Sequence, residues 1–186
     1  GRGQRAHMAI GATIFRFTIE LSDVDRGVFE HLELRVAQHP SESTLFLVVR
    51  MLARCLEHAD GIELTRGVSD TELPAIVVRD LLGGLTAWIE VGTPADKRVH
   101  KATSRAERVM VYAHKQIEPL IERLRAASMP RAERVTVVHF DEALVTGLQQ
   151  ALRRTATWSV TVSDNTLYIE ADGAHLSGAI HRVAIV

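Results

Sequence analysis

Several features of membrane, secreted and zinc-stabilised proteins are missing from this sequence of 186 residues. Cys55 is the only cysteine, so the sequence has neither a cysteine pair for a disulfide nor a Cys/His zinc framework. The longest apolar runs, such as residues 45–49, are far shorter than the roughly 20 residues of a membrane-spanning helix. Residues 1–7 have no apolar signal core and are typical of an expression-tag remnant ahead of Met8. We therefore expect a protein of the reducing cytoplasm with no membrane segment.

The sequence also lacks a dominant charge and has few aromatic residues. Its formal net charge is -1, and only 5% of its residues are aromatic. A globally basic nucleic-acid binder is not expected, so any site for a polyanion has to be a local basic patch. With so few aromatic rings for base stacking, binding to single strands would depend on charge. The motifs of phosphate loops, dinucleotide folds, hydrolase elbows and zinc proteases are absent.

What is present predicts one α/β domain over residues 8–186 with a mixed sheet and flanking helices. Alternating apolar residues at 12–21 and 28–36 predict an antiparallel strand pair. Ser41 is the candidate N-cap of a helix that reaches Ala59, with Glu42 in its first turn. Between residues 41 and 113 the predicted order is helix, three strands, helix, strand. The predicted segments after the first helix are strands 62–65, 75–79, 85–91 and 109–113, helices 95–106, 117–127 and 141–152, and strands 135–140, 158–162, 167–170 and 179–184.

Two carboxylates, at the ends of the predicted strands 75–79 and 85–91, are the candidate catalytic or metal-binding groups. Asp80 ends one strand and Glu90 lies near the end of the next, on either side of a glycine-containing turn. A simple hairpin puts the two acids at opposite ends, and only a bulge or a strand crossing would bring them together. If they converge, they could bind Mg²⁺, which prefers oxygen ligands. Glu42 is either a third acid of this site or a surface residue stabilised by the helix dipole.

A cationic helix follows these strands. At 100° per residue, the side chains of Lys97, Lys101, Arg105 and Arg108 fall on one face. This face is either simply solvated or a ridge that contacts phosphate oxygens and provides one lysine to a reaction centre.

The remaining candidate groups are interpreted as structural. Cys55 lies beside apolar helix positions and is expected to behave as a buried small hydrophobe. None of the nine histidines forms a metal-binding pair on one helix. The following six are expected to be surface or strand-face residues: His31, His58, His114, His139, His175 and His181.

Five short sequence blocks resemble the YaeQ family, because they occur in the order and with the spacing of that family. The resemblance covers about residues 9 to 170. These blocks are Asp23-Val24-Asp25-Arg26, His39-Pro40-Ser41-Glu42, Thr65-Arg66-Gly67, Trp88-Ile89-Glu90-Val91-Gly92 and Lys101-Ala102. The family resembles a variant of the PD-(D/E)XK nuclease fold, which implies an αβββαβ restriction-endonuclease-like core with extra terminal strands. The resemblance implies that Asp80 and Glu90 bind Mg²⁺. It also implies that these two acids converge, because related enzymes bend the strands that carry them. Lys101 on the next helix would then replace the usual motif lysine. The sequence departs from the nuclease pattern at Gly92, where the lysine is expected, and at Ala75, which follows Pro74 where many relatives have an acid.

Three functions remain open at this point. The first is a Mg²⁺-dependent phosphodiesterase acting on nucleic acid, with Asp80 and Glu90 on the ion, Lys101 at the phosphate and Glu42 supporting the ligands. Lys97, Arg105 and Arg108 would contact the phosphates of the substrate. The second is a non-catalytic module of the same fold that binds nucleic acid or a protein partner. The third is a structural role in which the basic face serves only solubility.

Overall fold

The computed structural model describes residues 11–65 and 72–186, which form ten strands and four α-helices. The strands are β1 (Thr13–Asp23), β2 (Val28–Gln38), β3 (Ile62–Leu64), β4 (Ile76–Arg79), β5 (Leu85–Val91), β6 (Arg108–Tyr112), β7 (Val135–Phe140), β8 (Thr155–Ser163), β9 (Thr166–Ala171) and β10 (Ala174–Ala184). The helices are α1 (Thr44–Leu56), α2 (Asp96–Arg105), α3 (Ile117–Ala126) and α4 (Glu142–Ala151), with a short 3-10 helix at Ala132–Arg134. None of the helices in this part of the chain is both long and apolar enough to cross a bilayer.

All ten strands belong to one mixed sheet. Its order is β2-β1-β8-β9-β10-β7-β6-β5-β4-β3. The pairs β1–β8, β5–β6 and β6–β7 are parallel, and the other pairs are antiparallel. The first half of the long strand β10 pairs with β9, and its second half pairs with β7. Strand β10 therefore joins two five-stranded halves into a continuous sheet.

Helix α1 lies in the larger of two cores. All its residues from Leu47 to Leu56 are buried, and this core contains side chains from both halves of the sheet. Arg26, in the loop between β1 and β2, donates hydrogen bonds to the carbonyls of Cys55 and His58. Arg26 thereby links the β1–β2 loop to the C-terminal end of α1, where the carbonyl of Cys55 also accepts a hydrogen bond from the amide of His58.

A second core covers the other face of the sheet. It contains Val99 of α2 and Leu120 of α3. Successive residues of a strand point to opposite faces, so Trp88 of β5 belongs to this second core while Ile89 belongs to the first. The face to which each strand residue points decides which candidate site residues can meet.

The predicted mixed α/β fold is confirmed, and the segment α1-β3-β4-β5-α2-β6 has the predicted αβββαβ order. The start of α1 differs from the prediction. Ser43, not Ser41, is the N-cap, because the Ser43 hydroxyl accepts a hydrogen bond from the amide of Phe46. Glu42 therefore precedes the helix instead of lying in its first turn. Strand β10 begins at Ala174, five residues earlier than predicted.

Candidate functional site

Glu90 is buried on the α2 face of the sheet, where its carboxylate is already engaged. Its Oε1 accepts hydrogen bonds from the indole Nε1 of Trp88 at 2.8 Å and from Nε of Arg98 at 2.5 Å. Arg98 lies on α2 and also donates to the carbonyl of Leu73. The carboxylate of Glu90 thus connects strand β5 to α2 through a charge-assisted hydrogen bond.

Asp80 lies at the other end of the same hairpin. Its amide donates to the carbonyl of Gly84, and its Oδ1 accepts hydrogen bonds from the amides of Leu82 and Gly84. Six residues separate Gly84 from Glu90 along β5, which corresponds to about 20 Å at strand spacing. The expectation that Asp80 and Glu90 converge is therefore wrong. The register shift between Val78 and Arg79 does not bring the two ends of the hairpin together.

The surroundings of Glu90 do not fit a magnesium ion. A guanidinium already neutralises its carboxylate, whereas Mg²⁺ would need that charge and further oxygen ligands. Extending the β4–β5 register by one residue puts Ala75, which has no ligand atom in its side chain, opposite Glu90. Gly92 has a φ of +109°, a conformation that side chains other than glycine rarely adopt, so a motif lysine there would be strained. Within residues 11–65 and 72–186, no group of three acids, histidines or cysteines has the geometry of a metal site.

Glu42 does not join Glu90, because it lies with α1 on the other face of the sheet. It is buried and its Oε1 is 3.5 Å from Nη1 of Arg50. Burial raises the pKa of Glu42 and lowers the pKa of Arg50, and the attraction between the two groups opposes both shifts. The alternative of a dipole-stabilised surface residue is wrong, because the Glu42 side chain is inaccessible to solvent.

The cationic face is shorter than predicted. Lys97, Lys101 and Arg105 are exposed on α2, one turn apart, and none of them forms an ion pair within the described ranges. Arg108 belongs to β6 instead, and its Nη2 lies 3.0 Å from Oε2 of Glu57, the residue that follows α1. Arg108 is therefore not part of the ridge, because a helix that ends at Arg105 cannot continue the helical spacing.

Sequence reasoning missed two residues of this region. The side chain that contacts Glu90 is Arg98, not Lys101. Trp88 and Glu90 are two residues apart, so their spacing could have shown that they share a strand face. Nothing in the sequence indicated that Arg98 would reach Glu90. His114 was expected to be a surface or strand-face residue; it follows β6, and neither of its ring nitrogens is accessible to solvent. Arg66 and Gly67, which form part of one block of the family resemblance, lie outside the described residues.

The chain was compared with known families and structures. The family model described as "YaeQ protein" matches residues 8–179. The chain belongs to the YaeQ family. A YaeQ crystal structure from Xanthomonas axonopodis pv. citri has 31% sequence identity and a TM-score of 0.84, with 92% of this chain and 97% of that chain covered. The YaeQ crystal structure from Pseudomonas syringae has 26% identity and a TM-score of 0.85, with 92% and 96% covered.

Curated members of the YaeQ family are similar over most of their length. The protein of Escherichia coli (strain K12) named "Uncharacterized protein YaeQ" is 28% identical over 171 residues, which covers 91% of this chain and 94% of that protein. The protein of the same name from Salmonella typhi is also 28% identical, over 163 residues that cover 87% of this chain and 90% of that protein. The comparisons thus show the YaeQ fold and family, and the names of these relatives assign no activity.

Proposed function

We propose that this YaeQ family member is a cytoplasmic module that binds the phosphate backbone of nucleic acid through α2 and does not cleave it. The observation that carries this proposal is the row of three exposed cations on α2, Lys97, Lys101 and Arg105. The proposal corresponds to the non-catalytic alternative from the sequence, with the basic face reduced to these three residues.

The surroundings of Glu90 favour binding over cleavage. A phosphodiesterase of the resembled type needs two acids on one ion and a lysine near the phosphate. Here Glu90 is bonded to Trp88 and Arg98, while Asp80 serves the hairpin turn. Gly92 and Ala75 leave the other two motif positions without a functional side chain. The acidic half of the reaction centre is therefore not assembled.

The spacing of the three cations suits a nucleic-acid strand. Eight residues separate Lys97 from Arg105, so at 1.5 Å per residue the row is about 12 Å long. The charges of a nucleic-acid backbone are closely spaced, so the three cations can contact neighbouring phosphates. Contacts of this kind position a backbone without reading its sequence. The expected ligand is accordingly a DNA or RNA backbone, recognised by charge.

Salt-dependent binding tests this proposal. Fluorescence anisotropy would be measured with labelled 20-nucleotide single-stranded and duplex DNA and RNA in 50 and 200 mM salt. Three phosphate contacts on duplex DNA predict a logarithmic salt slope near -2.7, or about 40-fold weaker binding at the higher salt. The variant K97Q/K101Q/R105Q should lose this slope. The control R16Q/R35Q/R154Q removes three exposed arginines from strands β1 and β2 and the start of β8, and should bind as the wild type does.

Three results would overturn the proposal. Binding that disappears in the control variant but not in the α2 variant would move the nucleic-acid surface to the other half of the sheet. Mg²⁺-dependent cleavage of these substrates, lost in E90Q but not in D80N, would restore Glu90 as a catalytic acid. Absence of any salt-dependent binding would leave α2 as a solvated face.

A protein partner is the second candidate, and the tip of the β4–β5 hairpin favours it. Leu81 and Leu82 are 105% and 97% exposed at that tip. Two adjacent, fully exposed leucines on a protruding turn are typical anchors for an apolar pocket of another protein. With a purified partner, L81S/L82S should weaken binding at least tenfold, whereas K97Q/K101Q/R105Q should leave it unchanged. The reverse pattern would assign the interaction to α2.

A further inference from the structure

Strand β2 forms one free edge of the sheet and is open to further pairing. It is a terminal strand in the sheet order, and all 11 of its residues pair with β1 without a register shift. Residues 28–38 include neither proline nor lysine, which in many proteins close an exposed edge to another chain. A long and regular edge strand of this kind can therefore pair with a further extended segment.

Alternate residues of β2 direct their backbone groups to the free edge. The amide of Arg16 in β1 donates to the carbonyl of Arg154, next to β8, and so points away from β2. Arg16 is opposite Arg35, and opposite residues of an antiparallel pair either exchange both backbone hydrogen bonds or point them away from each other. The backbone groups of Arg35, and by alternation those of Glu33 and His31, therefore face the free edge.

On the inner side of this edge, helix α1 carries two arginines. Arg50 donates to the carbonyl of Ala37, near the end of β2. Arg54 follows one turn later and therefore lies on the same side of α1. Nη1 of Arg54 lies 2.9 Å from Nδ1 of His58, and Nε2 of His58 lies 3.9 Å from Oε1 of Glu30, near the start of β2. Contacts to both ends of β2 thus flank Arg54, which places its guanidinium beside the middle of the strand.

Arg54 is a buried cation without an acidic partner. Its exposed fraction is 7%, and it forms no ion pair in the described part of the chain. Burial and the charge of Arg54 lower the pKa of His58, so this neighbour is neutral near pH 7 and supplies no negative charge. Nε and Nη2 of Arg54 have no partner in the same part of the chain, and neither atom is sealed from solvent. Buried arginines are normally paired, as Arg50 is with Glu42, so Arg54 can accommodate one carboxylate.

Aliphatic side chains line the same side of the edge. Leu34 of β2 and Leu64 of β3 are partly buried against the larger core. Arg50 also donates to the carbonyl of Thr65, directly after β3, so β3 approaches the same side of α1 as β2 does. A chain that pairs with β2 would thus meet apolar groups beside a cation. This chemistry fits a peptide better than a small hydrated anion, which would leave the backbone groups of the edge without partners.

We propose that β2 binds an extended segment of a partner protein whose backbone pairs with the free edge and whose acidic side chain contacts Arg54. Successive side chains of such a segment point to opposite faces, so every second one points toward α1. The backbone of the segment satisfies the edge groups of His31, Glu33 and Arg35, as in other cases of strand addition. The carboxylate supplies the countercharge that Arg54 lacks, and flanking aliphatic side chains cover Leu34. Phosphate binding by α2 is independent of this surface, because α2 packs on the opposite face of the sheet.

Two peptides that differ by one charge test this assignment. The capped heptapeptide Thr-Val-Thr-Glu-Thr-Val-Thr, and the same peptide with glutamine in place of glutamate, would be titrated into the full chain while backbone amide resonances are followed by NMR. We expect saturable shifts at the amides of His31, Glu33 and Arg35. The glutamate peptide should bind about tenfold more tightly, because only its carboxylate neutralises the buried guanidinium. Once this peptide is bound, hydrogen exchange at these three amides should slow by about tenfold or more.

Two variants separate the contributions of the cation and of the edge. R54Q should remove the preference for the glutamate peptide, while K115Q, which removes an exposed cation after β6, should retain it. E33P removes an amide N–H that faces the free edge, where proline is tolerated, and should abolish binding of both peptides. An amide spectrum that is unchanged outside β1 and β2 would show that E33P is folded. This variant and the exchange measurement keep the test decisive if R54Q does not fold.

Several outcomes would overturn the proposal. Neither peptide might cause saturable shifts up to about 5 mM, the shifts could lie away from β2, or E33P could bind as tightly as the wild type. Equal affinity for the two peptides would exclude Arg54 as the polar contact. Self-association of the free chain that E33P abolishes would assign the edge to a second copy of this chain instead of a partner protein.

Discussion

Replacing Glu90 with alanine should destabilise the protein, because the carboxylate has a structural task. The change leaves the buried indole N–H of Trp88 without its acceptor, which costs about 1–3 kcal/mol. Arg98 loses its partner too, but its side chain is 33% exposed and can be rehydrated, so this part is worth about 0–1 kcal/mol. Together we expect a loss of about 2 kcal/mol. For a chain of this size, that corresponds to a decrease in Tm of about 4–8 °C.

Urea unfolding followed by far-UV circular dichroism measures the effect. E90Q keeps an oxygen acceptor for the indole and should lose less than E90A. A double-mutant cycle of E90A with R98A should give a coupling energy of about 1 kcal/mol, because the two side chains are in direct contact. Glu107 is an exposed acid just beyond α2, and the control E107A should remain within 0.5 kcal/mol of the wild type.

A wild-type unfolding curve for E90A would refute this reasoning. It would mean that the bonds to Trp88 and Arg98 contribute no net stability and that the carboxylate is free for another purpose. If the same variant had also lost a Mg²⁺-dependent activity, Glu90 would have to be assigned to chemistry.

Three further predictions concern residues away from this face. Gly61→Ala should lower the free energy of unfolding, measured in urea, by about 3 kcal/mol. The reason is that φ of Gly61 is +85° and an added Cβ would lie 2.0 Å from the carbonyl oxygen of Arg79. A decrease below 1 kcal/mol would contradict this close approach. Burial raises the pKa of Cys55 to about 12. A thiol reagent at pH 8 should therefore label Cys55 only as fast as the protein unfolds in urea. Rapid labelling of the native protein would contradict this prediction. The hydrogen bond to Glu20 is the main cause of the raised pKa of His31, so E20Q should shift its NMR titration midpoint downward toward 6.5. In the wild type, the stabilisation from this pair is present below pH 6.5 and is lost as the pH rises through the higher folded-state pKa.

The sequence predicted the elements well because their signals are local. Alternation along β1 and β2 and the helical spacing in α1 depend only on neighbouring residues, and all three elements are present, with different ends for α1. The residue patterns between 41 and 113 predicted the αβββαβ order, which agrees with the resemblance and is confirmed. Boundaries were less certain where two capping residues compete. Ser41 bonds to the ring of His39, which leaves the cap of α1 to Ser43.

The candidate site was predicted less well because it depends on distances across the fold. The sequence placed Asp80 and Glu90 on one hairpin, but the resemblance alone brought them together, and the register separates them by about 20 Å. Arg108 fitted the helical spacing of α2 only as long as the end of the helix was unknown. The ring nitrogens of His114 are inaccessible to solvent, and its ring packs edge-on against Phe46 of α1, which no local pattern can indicate.

Arg98 supplies the positive partner that the buried carboxylate of Glu90 needs. A buried carboxylate needs a positive partner, and either a metal ion or a guanidinium can supply it. Here α2 supplies the guanidinium, so Glu90 is satisfied without an ion and without a second acid. The core around α1 lies on the other face of the sheet and does not depend on this choice. The same helix presents Lys97, Lys101 and Arg105 outward, so α2 both neutralises Glu90 and exposes these three cations.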